Sequence, residues 1–576
     1  MGQSSEEGMS DPNEPQIFET LRSRFGFEAF RPGQEEVVRH LVAGRSTAAV
    51  FPTGAGKSLC YQLPALLLDG LTIVVSPLIA LMKDQIDALT QRGIEAVRLD
   101  SSLDDQAYRA AMDGIRSGRV RLVYVSPERF NNERFRDFVM RQKIALFAVD
   151  EAHCISEWGH NFRPDYLKLA EFARAAGAER IFALTATATP TVLGEICRLF
   201  AIDPDCAVRT GFYRENLALQ VSCTDATSRD HDLMAELDAH PPGPTIVYVS
   251  IQKTAMELAQ TIAATGRDAR PYHAGMDAAL RTATQDWFLS SDDGIVVATI
   301  AFGMGIDKPD IRYVHHYNLS KSLEAYSQEV GRAGRDELPA RCVTFYCPDD
   351  LVTLQNFALG DTPTDEAVRR FVAELLESDD TLELGLYAMA RACDIRPLVL
   401  RTLLVYLELE GFLAGGTPIY SSFRFIPQTT SAEMLAAFPE SRRPFLAAVL
   451  KQSKKARTWF SLDAADVAER LSVDRRQVIA LLDELANRGF LRLEGKDVRH
   501  RYQVLRRPDD ADALAVMLHD RLQAREKREL KRLDDLVDLF LTDGCIANRL
   551  GEHFGEHRSQ PCGHCSSCLV RAAGGE

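Results

Sequence analysis

Ser46–Gln62 (STAAVFPTGAGKSLCYQ) constrains this chain more than any other stretch. A short apolar run ends in Thr53-Gly54-Ala55-Gly56-Lys57-Ser58, and a helical pattern follows. Strand, glycine-rich turn and helix in that order make a phosphate-binding loop. The glycines let backbone N–H groups close around a polyphosphate, Lys57 reaches the β/γ-phosphates and Ser58 holds Mg²⁺. The general pattern has a first Gly where this chain has Phe51, so the assignment rests on the Thr-Gly-x-Gly-Lys-Ser core. The plainer alternative is a surface turn with a chance lysine, and the flanking strand and helix count against it.

Downstream, short apolar runs alternate with helical patterns: Leu71–Val75, Arg121–Val125, Ile144–Val149 and Arg180–Leu184. That rhythm predicts an α/β fold with a parallel sheet and crossover helices, and such sheets bind ligands beyond the carboxyl ends of their strands. Polar motifs fall at those ends: Ser76-Pro77, Ser126-Pro-Glu-Arg129, Asp150-Glu-Ala-His153 and Thr185-Ala-Thr187. Asp150, closing an apolar strand, can hold a hydrated Mg²⁺, and Glu151 can orient or deprotonate an attacking water. Upstream lies Phe25-Gly-Phe-Glu-Ala-Phe-Arg-Pro-Gly-Gln34. Gln34 can pair in two directions with an adenine edge, and Phe27 and Arg31 can stack on the base.

After about Asp203 the pattern restarts, with strands expected at Thr245–Val249, Ile295–Ala298, Tyr313–Tyr317 and Cys342–Tyr346. This second lobe has no phosphate loop. It carries Ser322-Leu-Glu-Ala-Tyr-Ser-Gln-Glu-Val-Gly-Arg-Ala-Gly-Arg335. Arg332 and Arg335, with no local phosphate loop, are expected to face the nucleotide of the first lobe as arginine fingers.

These stretches together resemble the RecQ family of superfamily 2 DNA helicases. The matching motifs are FRPGQ at 30–34, TGAGKS at 53–58, SPLIALMKDQ at 76–85, DEAHCISEWGHNFRPDY at 150–166, LTATA at 184–188, YHAGM at 272–276, ATIAFGMGIDKPDIRYVHHYN at 298–318 and QEVGRAGRD at 328–336. The resemblance implies ATP-dependent, 3′→5′ DNA unwinding in repair and recombination. It also implies that Gln34, Lys57, Ser58, Asp150, Glu151, His153, Gln328, Arg332 and Arg335 serve the nucleotide. Within the matched motifs Ser76, Lys83, His273 and Thr299 are assigned to DNA. Trp158, His160, Phe162, Arg163 and Tyr166 form an aromatic, basic loop, and aromatic faces stack on unpaired bases at ~1–3 kcal/mol each. A structural aromatic cluster under a loop is the competing account.

The order of modules departs from the family. Residues 362–508 stand where a zinc module is expected, and they contain an echo: Leu403–Leu413 (LLVYLELEGFL) resembles Leu481–Leu491 (LLDELANRGFL). Helix, Gly, Phe-Leu and a short hairpin describe a winged helix, so two are expected in tandem, at 362–430 and 431–508. Such folds bind DNA or serve as protein contacts. Formal net charge is −15 overall, but in 441–507 there are 16 Lys/Arg against 8 Asp/Glu, a local net of +8. That excess favours phosphates, with Arg499 and Arg501 as DNA contacts. A long charged helix at 509–541 leads to Cys545, Cys562, Cys565 and Cys568, spaced C-x16-C-x2-C-x2-C, four thiolates suited to a closed tetrahedral Zn²⁺ site. His553, His557 and His564 are alternative ligands, and Cys342 and Cys347 read as strand thiols.

The expectation is therefore two RecA-like lobes (17–208 and 209–361), two winged helices (α+β) and a small helical zinc module (509–576), after a disordered 1–16. A helix should start near Ile17, and no HRDC module is expected. ATP, Mg²⁺ and Zn²⁺ are the cofactors. Single-stranded and tailed or forked duplex DNA are the partners, for a monomer in the cytoplasm, or at the nucleoid of a bacterium, without a membrane span. The rival function is a DNA-binding protein whose ATPase lobes act only as a switch or clamp, and translocation without unwinding lies between the two.

Overall fold

Apolar runs flanked by helical patterns bury both faces of a strand, and here they assemble two parallel sheets. The computed structural model describes residues 14–100, 103, 105–156, 163–303, 306–376, 380–416, 419–456 and 458–574. The stretch read as disordered lies outside the described residues as far as 13. The helix expected near Ile17 begins at Glu14 (Glu14–Thr20), inside that stretch, because Ile17 reaches the core.

The first sheet holds β1 (Thr47–Val50), β2 (Leu71–Val75), β3 (Ala96–Leu99), β4 (Leu122–Val125), β5 (Ile144–Val149), β6 (Ile181–Thr185) and β7 (Ala207–Arg209), in the order β3-β4-β2-β5-β6-β1-β7. Every pairing is parallel. Because β5, β6 and β1 are neighbours, the segments that follow them emerge side by side: Asp150, Thr185–Thr187 and the phosphate loop. The second sheet holds β8 (Leu217–Cys223), β9 (Thr245–Tyr248), β10 (Ala269–Tyr272), β11 (Ile295–Ala298), β12 (Tyr313–His316) and β13 (Ala340–Tyr346), in the order β10-β11-β9-β12-β13-β8, again all parallel.

The strands that the apolar runs did not reveal, β3, β7, β8 and β10, are the four sheet edges. An edge strand is covered less completely, so its sequence is mixed: β3 and β10 are half-buried over three of their four residues.

The chain divides into two compact units. The first comprises residues up to Phe130, Phe135–Thr362 and Arg521–Glu576; the second comprises Asn131–Arg134 and Pro363–Asp520. In the first, Leu533, Leu536, Leu539 and Phe540 of the long helix (Ala511–Phe540) share one core with Tyr326, Cys342, Ile546, Cys565 and Cys568. The zinc module is thus part of the second lobe's core. It also covers that lobe's edge: Val221 N on β8 donates to Ser566 Oγ at 3.1 Å and Gln220 Nε2 to His564 O at 2.7 Å.

The second unit has the expected repeat but not two separate winged helices. Its strands are β14 (Thr381–Gly385), β15 (Leu413–Gly415), β16 (Ile419–Pro427), β17 (Lys454–Lys455), β18 (Phe460–Asp463) and β19 (Leu491–Val504), in a single antiparallel sheet. Among the described residues β15 and β16 pair with β19 and not with each other, so the expected hairpin is not seen there. Instead β16 lies between β18 and the first half of β19, while the second half of β19 lies between β14 and β15. Each repeat thereby completes the other's sheet. Running on past its own repeat gives each long strand partners from both repeats.

Candidate nucleotide site and zinc centre

The phosphate loop follows β1. Phe51, in the place of the usual first Gly, is fully buried, with its ring against Gly33, so the core takes a side chain there and the loop turns one step later. Gly56 has φ +72°, and a Cβ on it would fall 2.6 Å from Gln34 Nε2; both facts require glycine. Gln34 does not present a free amide to an adenine. Its Nε2 donates to Ala55 O (3.0 Å) and Gly56 O (2.9 Å), and its Oε1 accepts from Arg31 N (2.9 Å). Arg31 Nη1 donates to Gly54 O. These two residues therefore brace the loop, while Phe27 stands 46% exposed beside them. Lys57 Nζ donates to Phe51 O (3.1 Å) and Pro52 O (3.3 Å). Burial lowers its pKa, with Glu151 and Asp150 opposing.

Asp150 leaves β5 buried, its Oδ2 accepting from Ser76 Oγ (3.2 Å) and its Oδ1 from Glu151 N (3.0 Å). Burial raises its pKa and the Glu151 carboxylate adds to the shift. A buried carboxylate with a second, part-exposed one beside it favours a nearby cation. Glu151 is a non-glycine residue in the left-handed region (φ 50°, ψ 44°). Strain at such a position is retained where geometry matters. Its Oε2 lies 3.3 Å from His153 Nδ1, which is also 2.7 Å from Thr185 Oγ1.

Four residues assigned to DNA are interior. Ser76 is buried on Asp150. Tyr166 is 0% exposed and its Oη donates to Asp150 O at 3.0 Å. His273 and Thr299 are buried at the ends of β10 and β11. A motif marks the functional end of a sheet but not whether its side chains line the surface or the underlayer. Tyr166→Phe should cost about 1 kcal/mol of stability through the lost hydrogen bond, and Tyr166→Ala about 3–5 kcal/mol, each read from a urea midpoint. A stacking platform would instead lose DNA affinity without losing stability. Trp158, His160 and Phe162 lie outside the described residues. Arg163 is half-buried at the start of a short helix, and Lys83 is exposed.

The second lobe meets this site directly. Gln328 Nε2 donates to Thr187 Oγ1 at 2.9 Å. Arg335 packs on the phosphate loop, its Cγ 3.3 Å from where a Cβ on Gly54 would stand, and Nη1 pairs with Asp307 Oδ1 at 2.6 Å. Burial lowers its pKa, and the charge of Arg332 acts in the same direction. The Nε of each of these arginines is buried without a hydrogen-bond partner. A desolvated guanidinium on the phosphate loop, with a second one close enough to act on its charge, suits an anionic ligand. Thr187 and Asp307 lie within matched motifs, but neither was given a role from the sequence, since a threonine and a loop aspartate name no chemistry by themselves.

The Sγ atoms of Cys545, Cys562, Cys565 and Cys568 all lie within 4.8 Å of one another. Tetrahedral Zn–S bonds of about 2.3 Å need sulfurs about 3.8 Å apart, so a structural Zn²⁺ fits with little movement. Cys562 N donates to Cys545 Sγ (3.2 Å) and Cys565 N to Cys562 Sγ (3.3 Å), as thiolates require. His553 and His564 are engaged elsewhere, with Glu324 Oε1 (3.0 Å) and Leu217 O (3.1 Å). Cys342 is buried in β13 and Cys347 just beyond it.

Family models match three stretches: DEAD/DEAH box helicase at 31–196, helicase conserved C-terminal domain at 228–337 and RecQ zinc-binding at 508–569. The chain is 38% identical to the "Probable ATP-dependent DNA helicase RecS" of Bacillus subtilis (strain 168) over 364 residues, 63% of this chain and 73% of that one. The chain belongs to the RecQ family. It is also 40% identical to the "ATP-dependent DNA helicase RecQ" of B. subtilis over 362 residues, 62% of this chain and 61% of the relative. The similarity to the "ATP-dependent DNA helicase Q-like 5" of Arabidopsis thaliana, 33% over 560 residues, runs through 94% of this chain and 60% of the relative. The chain thus spans about three fifths of the length of these last two RecQ relatives.

In the second unit of this RecQ chain, the basic residues divide. Arg501 is paired with Glu383 (Nη2–Oε1 2.6 Å), an ion pair that competes with phosphate for its guanidinium. Arg506 donates to Glu410 O and covers the Phe412 ring, and Arg507 donates to Leu376 O. Lys454, Lys455, Lys496 and Arg499 are exposed. Cross-strand register decided this: Arg501 sits opposite Glu383 only because β19 pairs with β14.

Proposed function

We propose that the chain is a DNA-stimulated ATPase and an ATP-dependent helicase that moves 3′→5′ along one strand and separates duplex DNA in repair and recombination. The observation that carries this reading is Arg335, a second-lobe residue whose side chain lies on the first lobe's phosphate loop. Hydrolysis would then require closed lobes, and each cycle of closing and opening would supply one step of movement. Lys57 would exchange its backbone carbonyl partners for the β/γ-phosphates. Mg²⁺, held by Ser58 and Asp150, would neutralise phosphate charge. Glu151 would orient the attacking water, and Arg332 and Arg335 would stabilise charge developing on the transferred phosphoryl group. Gln34, Arg31 and Gln328 would hold the loop and the lobe contact.

Single-stranded and tailed or forked duplex DNA are the proposed partners, with Arg163, Lys83 and Arg499 on the path. A monomer acting in the cytoplasm, or at a bacterial nucleoid, is the proposed setting. Among the described residues no helix is long and apolar enough to cross a membrane. The deciding assay is displacement of one strand of a 3′-tailed duplex. ATP should drive it, and a 5′-tailed duplex should remain intact. ATP hydrolysis without displacement would leave a clamp or a duplex translocase.

Replacing Lys454, Lys455, Lys496 and Arg499 by Ala should weaken binding to tailed DNA. It should also flatten the log–log salt slope by about one for each phosphate that is no longer neutralised. The same change at Arg501, Arg506 and Arg507 should leave the slope near its starting value. Equal flattening by both sets would remove the exposed basic patch from the DNA path.

A further inference from the structure

Residues 209–217 join the two lobes, and the zinc module grips them. Glu556 Oε2 accepts from Phe212 N (2.5 Å) and Tyr213 N (3.0 Å). The rings of Phe212 and Phe554 stack at 4.3 Å with planes 8° apart, Arg558 covers the Tyr213 ring at 3.2 Å, and Arg209 donates to Phe554 O. The next linker residue, Arg214, donates to Gly331 O (3.2 Å) and to Gly334 O. Asn216 Nδ2 donates to the same Gly334 O and to Leu338 O, both at 2.8 Å. These carbonyls bracket Arg332 and Arg335. At Gly334 φ is +55°, and a Cβ would fall 2.5 Å from Asn216 Nδ2, so only glycine permits this grip.

We infer that Glu556 and Arg214 are positioning residues for the two finger arginines. The zinc module fixes two linker amides through Glu556. The linker fixes Arg214, and Arg214 fixes the backbone that carries Arg332 and presents Arg335 to the phosphate loop. Carboxylate-to-amide and guanidinium-to-carbonyl hydrogen bonds are charge-assisted and directional, and a displacement of about 1 Å in a charge-stabilising group is enough to slow a reaction severely. Glu556 is not one of the four cysteine ligands, so its effect is separable from zinc binding. The inference rests on the ATPase reading proposed above.

The test uses the full chain, with DNA-stimulated ATP turnover, zinc content and thermal midpoint measured together. Glu556→Ala and Arg214→Ala should each lower kcat about 10-fold, with KM for ATP changed less than about threefold. Glu556→Gln keeps a carbonyl oxygen for the amides and should recover most of the rate. In an Arg335→Ala background, Glu556→Ala should add less than its full loss in single-turnover hydrolysis, because one of the two groups it positions is gone. A kcat within twofold of the starting protein for both alanine variants would overturn the inference, as would a full further loss in the Arg335→Ala background. Should Glu556→Ala lose zinc, Arg214→Ala and Glu556→Gln decide the matter. A starting protein that does not hydrolyse ATP would instead refute the proposed function, before any variant is compared.

Discussion

Arg335→Ala should reduce DNA-stimulated ATP turnover by about 10³-fold or more, the range found for arginine fingers in nucleotide hydrolases, while a fluorescent ATP analogue still binds. Arg335 is held by Asp307 and pressed against Gly54, and burial strips its guanidinium of water. A desolvated charge in place before the reaction costs no reorganisation when phosphoryl charge develops, and this is why its loss should appear in kcat. Arg335→Lys should recover little, since an ammonium cannot reproduce the planar fork. Steady-state turnover at saturating ATP and DNA is the measurement. A loss below tenfold would mean that hydrolysis is completed within the first lobe.

Cys565→Ser should lower bound zinc from one per chain to none and destabilise the second lobe with it. Structural zinc in small peptides contributes an apparent 10–16 kcal/mol of binding free energy near neutral pH, roughly, and that energy is folding energy. Here the cluster is not a detached finger: Cys545, Cys565 and Cys568 are in the core that contains Tyr326, Cys342 and Phe540. Losing the metal should therefore expose the β8 edge and release the linker, so the thermal midpoint and ATP turnover should fall together. Cys223→Ser, at an exposed thiol, is the control and should change neither. Metal analysis finding zinc still bound in Cys565→Ser, or none in the starting protein, would sink this account.

What the chain encodes locally was legible in its residues. The phosphate loop, the Asp150–Glu151 pair, the paired arginines and the cysteine spacing each depend on side chains close in sequence, so each was visible there as a candidate site. Interior strands were legible for the same reason, because a strand buried on both faces must be apolar along its length. The edges β3, β7, β8 and β10 were not, since partial exposure dilutes that pattern. Long-range pairing decided the rest. Gln34 braces the loop because residues 55 and 56 come within reach of its amide. Ser76, Tyr166, His273 and Thr299 sit under the site because of how strands and helices pack, which their motifs do not encode. The repeat at 403–413 and 481–491 was visible as a repeat, but a hairpin and an exchanged strand have the same alternation of residues, and only the partners of β16 and β19 distinguish them. The hydrogen bonds from the linker amides to Glu556 span more than three hundred residues. No pattern of spacing records such a pair, because it exists only once the second lobe has built the surface on which the zinc module folds.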